Sequence, residues 1–170
     1  MSVQTVTAAD LKAESDTQPI RGGKFLTFFL SGEEYGIEIL KVHEIIGLLP
    51  ITRVPRTYYC LKGVINLRGK VIPVVDLRLK FEMPSAESTS ETCIIVVRIR
   101  GIDVGVIVDR VSEVIYIRDG EIEPAPSFGN GFNTDFILGI GNTQEKVRIL
   151  LAIDRVLSSS ELFQFEETAA

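Results

Sequence analysis

Tryptophan is absent from this sequence, and histidine occurs once, as His43. A lone histidine, with no Cys/His/Asp cluster at ligand spacing, gives no basis for a metal centre. No nucleophile stands beside it for base catalysis, so a surface or half-buried role is expected. Cysteine is nearly as scarce. Cys60 and Cys93 lie in apolar surroundings without CxxC spacing and read as buried reduced thiols. No apolar run reaches roughly 18 residues, which excludes a spanning helix and direct membrane insertion. The opening "MSVQTVTAADLKAESDTQ" is polar and lacks the apolar centre of a secretion signal, so a cytoplasmic protein is expected. Neither GxxxxGK[ST] nor GxGxxG occurs, and no cofactor is expected. The net charge of −5 argues against general attraction to nucleic acid or anionic membranes. Aromatic and basic residues do not alternate as they do in single-strand nucleic-acid platforms.

What is present is apolar bulk, 45% of residues, with nine Phe and four Tyr. That suffices for one compact unit or two small halves. Charge is uneven. Between Ile51 and Lys80 stand Arg53, Arg56, Lys62, Arg68, Lys70, Arg78 and Lys80, against the single acid Asp76. This reads either as a solvated basic face or as a surface that meets an acidic partner.

Strand signals dominate. "KFLTFFL" and "YGIEI" flank "SGEE" as a hairpin, and "GVINLRGKVIPVVDL" forms another around Arg68-Gly69-Lys70. "LKVHEIIG" is ambiguous between strand and one helical turn, "LLPITRVP" reads as an extended edge, and "RTYYCLKG" has room for a helical turn. The polar stretch 82–92 is the best internal boundary. Beyond it come further strands in "CIIVVRIRGIDVGVIVDRVSEVIYI" and "FILGIGNTQEKVRILLAID", separated by a long Gly- and Pro-rich connection. Residues 1–23 read as a flexible leader and residues 158–170 as a tail or helix.

The chain repeats itself. At an offset of 69, Gly32, Gly36, Val42 and Glu44 meet Gly101, Gly105, Val111 and Glu113. At 76, Gly63, Asn66, Lys70 and Val71 meet Gly139, Asn142, Lys146 and Val147. Two further residues of slack bring Asp76 to Asp154. Such self-similarity indicates duplication of one small β unit, two copies of which must share an interface to bury enough surface. The copies diverge at one turn, Leu67-Arg68-Gly69 against Thr143-Gln144-Glu145. The fold tolerates either, so the first copy is the expected functional face.

Duplicated aspartates raise an aspartate-dependent hydrolase on paired barrels, in which two carboxylates share a proton. "VVDLRL" and "AIDRVL" lack the small flexible loops of that chemistry, and a neighbouring arginine keeps each aspartate ionised. Asp76 and Asp154 are instead expected to cap short helical turns or pair with Arg78 and Arg155. Asn66 and Asp76 are expected to be structural turn residues.

"FLTFFLSGEEYGIEILKVHEII", "GVINLRGKVIPVVDLRLKF" and "VGVIVDRVSEV" together resemble the CheW family of bacterial chemotaxis coupling proteins, over about residues 24–157. The resemblance implies a mainly β fold of two SH3-like five-stranded β-barrels in tandem with short helices. The repeats span approximately 24–81 and 93–157, and strands are exchanged between barrels in this family. It implies a non-enzymatic adaptor without cofactor or metal. Its partners would be the regulatory domain of the histidine kinase CheA and the cytoplasmic helical hairpin of a methyl-accepting chemotaxis receptor. Such a protein is cytoplasmic and recruited to membrane-associated receptor arrays. A related adaptor of a twitching-motility or developmental chemosensory pathway is the alternative. By matching position, Val42, Glu44, Gly63, Arg68 and Val108 would be receptor-binding. His43 departs from the pattern by standing where Gln is common.

Overall fold

The computed structural model describes residues 21–125 and 135–157. Most of the expected leader and all of the expected tail lie outside these residues. The strands are β1 (Gly23–Leu30), β2 (Glu33–Glu38), β3 (Val42–Gly47), β4 (Leu61–Leu67), β5 (Lys70–Asp76), β6 (Cys93–Ile99), β7 (Ile102–Val108), β8 (Arg110–Ile117), β9 (Ile122–Glu123), β10 (Ile137–Thr143) and β11 (Lys146–Leu151). Two one-turn helices, α1 (Leu77–Lys80) and α2 (Ile153–Val156), follow β5 and β11. The stretch from Arg56 to Cys60 makes turns and no helix.

The strands form two sheets. A central sheet has the order β3-β6-β7-β5-β4 and is built from contiguous sequence. A terminal sheet has the order β8-β1-β2-β11-β10-β9 and gathers both flanks of the chain. Strands of the two repeats therefore pair with each other: β8 lies against β1, and β3 against β6. The 82–92 stretch joins two strands of the same sheet, β5 and β6, and does not separate the sheets. The chain crosses between sheets at Ile39–Lys41 and again at Asp109.

The repeat offsets are visible in the ladders. Each sheet contains one parallel pair, Val74 beside Gly105 in the central sheet and Leu150 beside Gly36 in the terminal one. Matching bulges occur between Leu61 and Gly63 and between Ile137 and Gly139. Even the two-residue strand β9 has a counterpart, because Thr52 exchanges both backbone hydrogen bonds with Val64. The bulge at Gly63 requires glycine. Its φ is +148°, and a Cβ there would lie 2.1 Å from the carbonyl oxygen of Thr52.

Long buried runs such as Phe25–Phe28 and Ile94–Val97 arise because these strands are covered on both faces. Alternate residues enter different cores. Phe25, Ile115, Ile117, Ile122 and Leu150 fill the inside of the terminal sheet, and Ile65, Ile72, Val74, Ile94 and Val96 fill the inside of the central one. The opposite faces meet in a shared seam that includes Leu26, Phe28, Tyr35, Ile37, Val97, Val104, Val106 and Val108. Each side chain so buried contributes roughly 1.5–3 kcal/mol. The architecture is two small, curled β units fused by an apolar seam.

Candidate functional site

The turn between β4 and β5 is built for rigidity. Arg68 and Gly69 both take left-handed backbone conformations, with φ of 53° and 87°, as a two-residue hairpin with right-handed twist demands. The Asn66 side chain locks it, its Oδ1 accepting a hydrogen bond from the Gly69 N–H at 2.7 Å. At the far end of β5, Asp76 caps α1, its Oδ1 accepting from the Arg78 N–H at 2.8 Å. The hairpin is thereby fixed at both ends, and it projects Arg68 with 70% of its side chain exposed.

Arg68 reaches across the mouth of the central unit. Nη1 donates to Glu44 Oε1 at 2.9 Å and Nη2 to Glu44 Oε2 at 2.7 Å. Glu44 lies on β3, one edge of the sheet, whereas β4 is the other edge. The two-pronged contact is thus a clasp between edges that share no ladder, and planar arginine–carboxylate geometry makes it directional. Hydrogen bonding from Arg68 holds the Glu44 carboxyl below its usual range.

Beside the clasp lies a second cluster. Asp103, on β7, is 7% exposed. Its Oδ2 accepts from Lys70 Nζ at 2.8 Å and its Oδ1 from Arg98 Nε at 3.0 Å. His43 Nδ1, in the β3 bulge, stands 3.6 Å from Oδ1. Burial alone would raise the Asp103 carboxyl. The hydrogen bonds and charges of Arg98 and Lys70 outweigh it and hold the pKa at about 2. Strands β3, β5, β6 and β7 and the β4–β5 turn therefore converge on one ionic surface.

Of the residues expected to face a partner, Glu44 and Arg68 are brought together on this surface. Val42, opposite Val97, is half-buried against the seam. Val108 needs correction: it is fully buried in the seam and supports the surface from beneath, out of a partner's reach. Gly63 is also internal, under Thr52. The sequence reading does not single out Asp103 or Arg98, and it takes Lys70 only as part of the basic stretch and its hairpin. One signal was available, since Asp103 lies 69 residues beyond Glu34, so both repeats carry an acid at that position.

The paired aspartates also need correction. The ladder keeps its offset of 76 through the helix caps, so the counterpart of Asp76 is Ala152, the N-cap of α2. Asp154 sits inside α2 and accepts a hydrogen bond from Lys41 at 2.7 Å, with no pairing to Arg155. Arg78 turns from Asp76 to Asp109, its Nε donating to Oδ1 at 2.8 Å. These two ion pairs pin the crossovers, Lys41 in one and Asp109 in the other. No acid–acid dyad exists between Asp76 and Asp154. Among the described residues, no group of three His, Cys, Asp or Glu is placed to hold a metal ion. Cys60 is a buried cysteine and Cys93 a half-buried one, neither in a disulfide, and burial opposes ionisation of Cys93.

Fused β units that spend their surface charges on a rigid, exposed ionic face define an interaction scaffold. Comparison with known proteins places it further. The profile of the CheW-like domain matches residues 24–161, and the chain belongs to the CheW family, whose members are non-enzymatic scaffolds. It is 40% identical over 148 residues to the chemotaxis protein CheW of Klebsiella aerogenes, covering 87% of this chain and 89% of that one. It is 45% identical over 105 residues to the CheW of Bacillus subtilis, covering 62% and 67%. The crystal structure of the scaffolding protein TtCheW from Thermoanaerobacter tengcongensis superposes with a TM-score of 0.75 at 37% identity, covering 82% of this chain and 95% of that one. No helix among the described residues is long and apolar enough to cross a membrane.

Proposed function

We propose that this protein is a cytoplasmic adaptor of chemotaxis signalling. In this reading it joins the cytoplasmic helical hairpin of a methyl-accepting receptor to the regulatory domain of the histidine kinase CheA, at membrane-associated receptor arrays. The reading rests on family membership, and one observation supports its placement on this chain. The Arg68–Glu44 clasp is exposed and held rigidly, and the turn that repeats it carries Gln144 and Glu145.

Arg68 offers a partner a guanidinium whose plane is already set. Two N–H groups are held by Glu44, and the remaining donors face solvent, available to a carboxylate or a helix-terminal carbonyl. Ile45 and Val71, on the strands that carry Glu44 and Lys70, are 43% and 42% exposed. Pre-ordering lowers the entropy lost on docking. The kinase would use a different face, because an adaptor must hold both partners at once.

The test is Arg68→Ala, read by pull-down and calorimetry with a receptor signalling fragment. Affinity should fall roughly thirtyfold, as for loss of a central arginine contact. Circular dichroism and the unfolding midpoint should stay near native, since an exposed ion pair adds little to stability. Receptor binding that survives unchanged would remove the assignment.

A further inference from the structure

The basic stretch noted in the sequence divides in two when folded. Arg68, Lys70 and Arg78 are consumed by Glu44, Asp103 and Asp109. Arg53, Arg56 and Lys62 make no side-chain hydrogen bond or ion pair with any described residue. All three line one concavity of about 340 Å³ on the connection between β3 and β4. From Leu48 to Lys62 the sequence contains no acid. Between the cations the wall mixes polar and apolar groups: Thr57, Val54, Pro55 and the rings of Tyr58 and Tyr59. Arg56 is held at a φ of +61°, a left-handed conformation that a side-chain-bearing residue adopts at a cost.

We propose that this concavity is a docking site for a short acidic segment of a partner protein, with carboxylates meeting Arg53, Arg56 and Lys62 and apolar side chains set against Val54 and the Tyr59 ring. The rest of the chain is more acidic than the net −5 of the whole. A long polyanion or an anionic bilayer would therefore be repelled outside the pocket, whereas a short segment feels mainly the local field. A bare small anion would leave Val54 and the Tyr59 ring unused. The site lies apart from the Arg68 clasp and stands whether or not the receptor reading holds.

The experiment is fluorescence anisotropy with the full chain and a labelled peptide of about ten residues in which glutamates are interspersed with leucines. The wild type should bind it and should ignore the same peptide with glutamine for glutamate. Arg53→Glu combined with Arg56→Glu should weaken binding at least roughly tenfold, and Lys62→Gln should weaken it by less. Both variants should keep native circular dichroism, because these side chains hold nothing in the fold. Raising the salt from about 0.05 to 0.5 M should also weaken binding. Equal affinity for the glutamine peptide, or undiminished binding by the folded double variant, would overturn the proposal. So would equally tight and equally variant-sensitive binding of a single-stranded oligonucleotide of similar length. Tighter peptide binding after Glu161, Glu166 and Glu167 are changed to Gln would assign the site to this chain's own end and overturn the partner assignment.

Discussion

The central and terminal units share one blueprint and solve one electrostatic problem in opposite ways. Each has an acid at its mouth, Asp103 in the central unit and Glu34 at the equivalent place in the terminal one. Asp103 is neutralised from outside, by Lys70 and Arg98, and the interior below stays apolar with Ile72. Glu34 is met from inside, by Arg148, which takes the place of Ile72 and is fully buried. Arg148 Nε lies 3.0 Å from Glu34 Oε2, and Nη2 lies 4.0 Å from Glu113 Oε2. Glu113 is the counterpart of Glu44, so one internal arginine faces the acids that several surface cations serve in the other copy. The central solution leaves cations on the surface, where a partner can meet them. The terminal solution withdraws the cation into the core.

The largest expected effect tests the internal solution. Glu34→Leu strands the Arg148 guanidinium in an apolar interior and should cost roughly 3–5 kcal/mol in chemical denaturation. Adding Arg148→Met should recover most of that loss, because it approaches the apolar packing that Ile72 provides in the other copy. A double variant no more stable than Glu34→Leu would show that the two barrels are not interchangeable at this position.

Acid titration tests the external solution. The Asp103 pKa lies below its unfolded value, so its contribution is complete above about pH 4 and is lost as pH falls through about 2. A shift of nearly two units corresponds to about 2 kcal/mol. Unfolding free energies measured between pH 5 and 2 should fall by about that much more in the wild type than in Asp103→Asn. Parallel curves would mean that Lys70 and Arg98 do not stabilise the charged form.

The smallest effect concerns the turns. Gln144 and Glu145 adopt φ of 56° and 60°, repeating the Arg68-Gly69 backbone without glycine. Glu145→Gly should stabilise the protein by about 1 kcal/mol, visible as a raised thermal midpoint. A lowered midpoint would show that the Glu145 side chain matters more than its backbone strain.

Much of this was legible beforehand, and the limits have physical causes. Hairpins were readable because strand alternation and turn residues are local. The repeat was readable because its glycines mark positive φ and close approaches at constant spacing. The match of Asp76 to Asp154 failed because residue identity outweighed register, and the ladder places Ala152 at the cap. The pairing of β8 with β1 was not readable from residues alone, since each edge finds its partner some 86 residues away and many apolar strands compete. Val108 enters only through the family resemblance, and its strand, covered on both faces, shows no alternation that would mark it as buried. The Asp103 cluster draws on four strands, and no single segment announces it.

The claim that the two copies divide their labour is tested most directly by calorimetry of a receptor signalling fragment against two matched turn variants, Arg68→Ala and Gln144→Ala. The account predicts roughly thirtyfold weaker binding for the first and wild-type binding for the second. Equal losses, or a loss confined to Gln144→Ala, would contradict it.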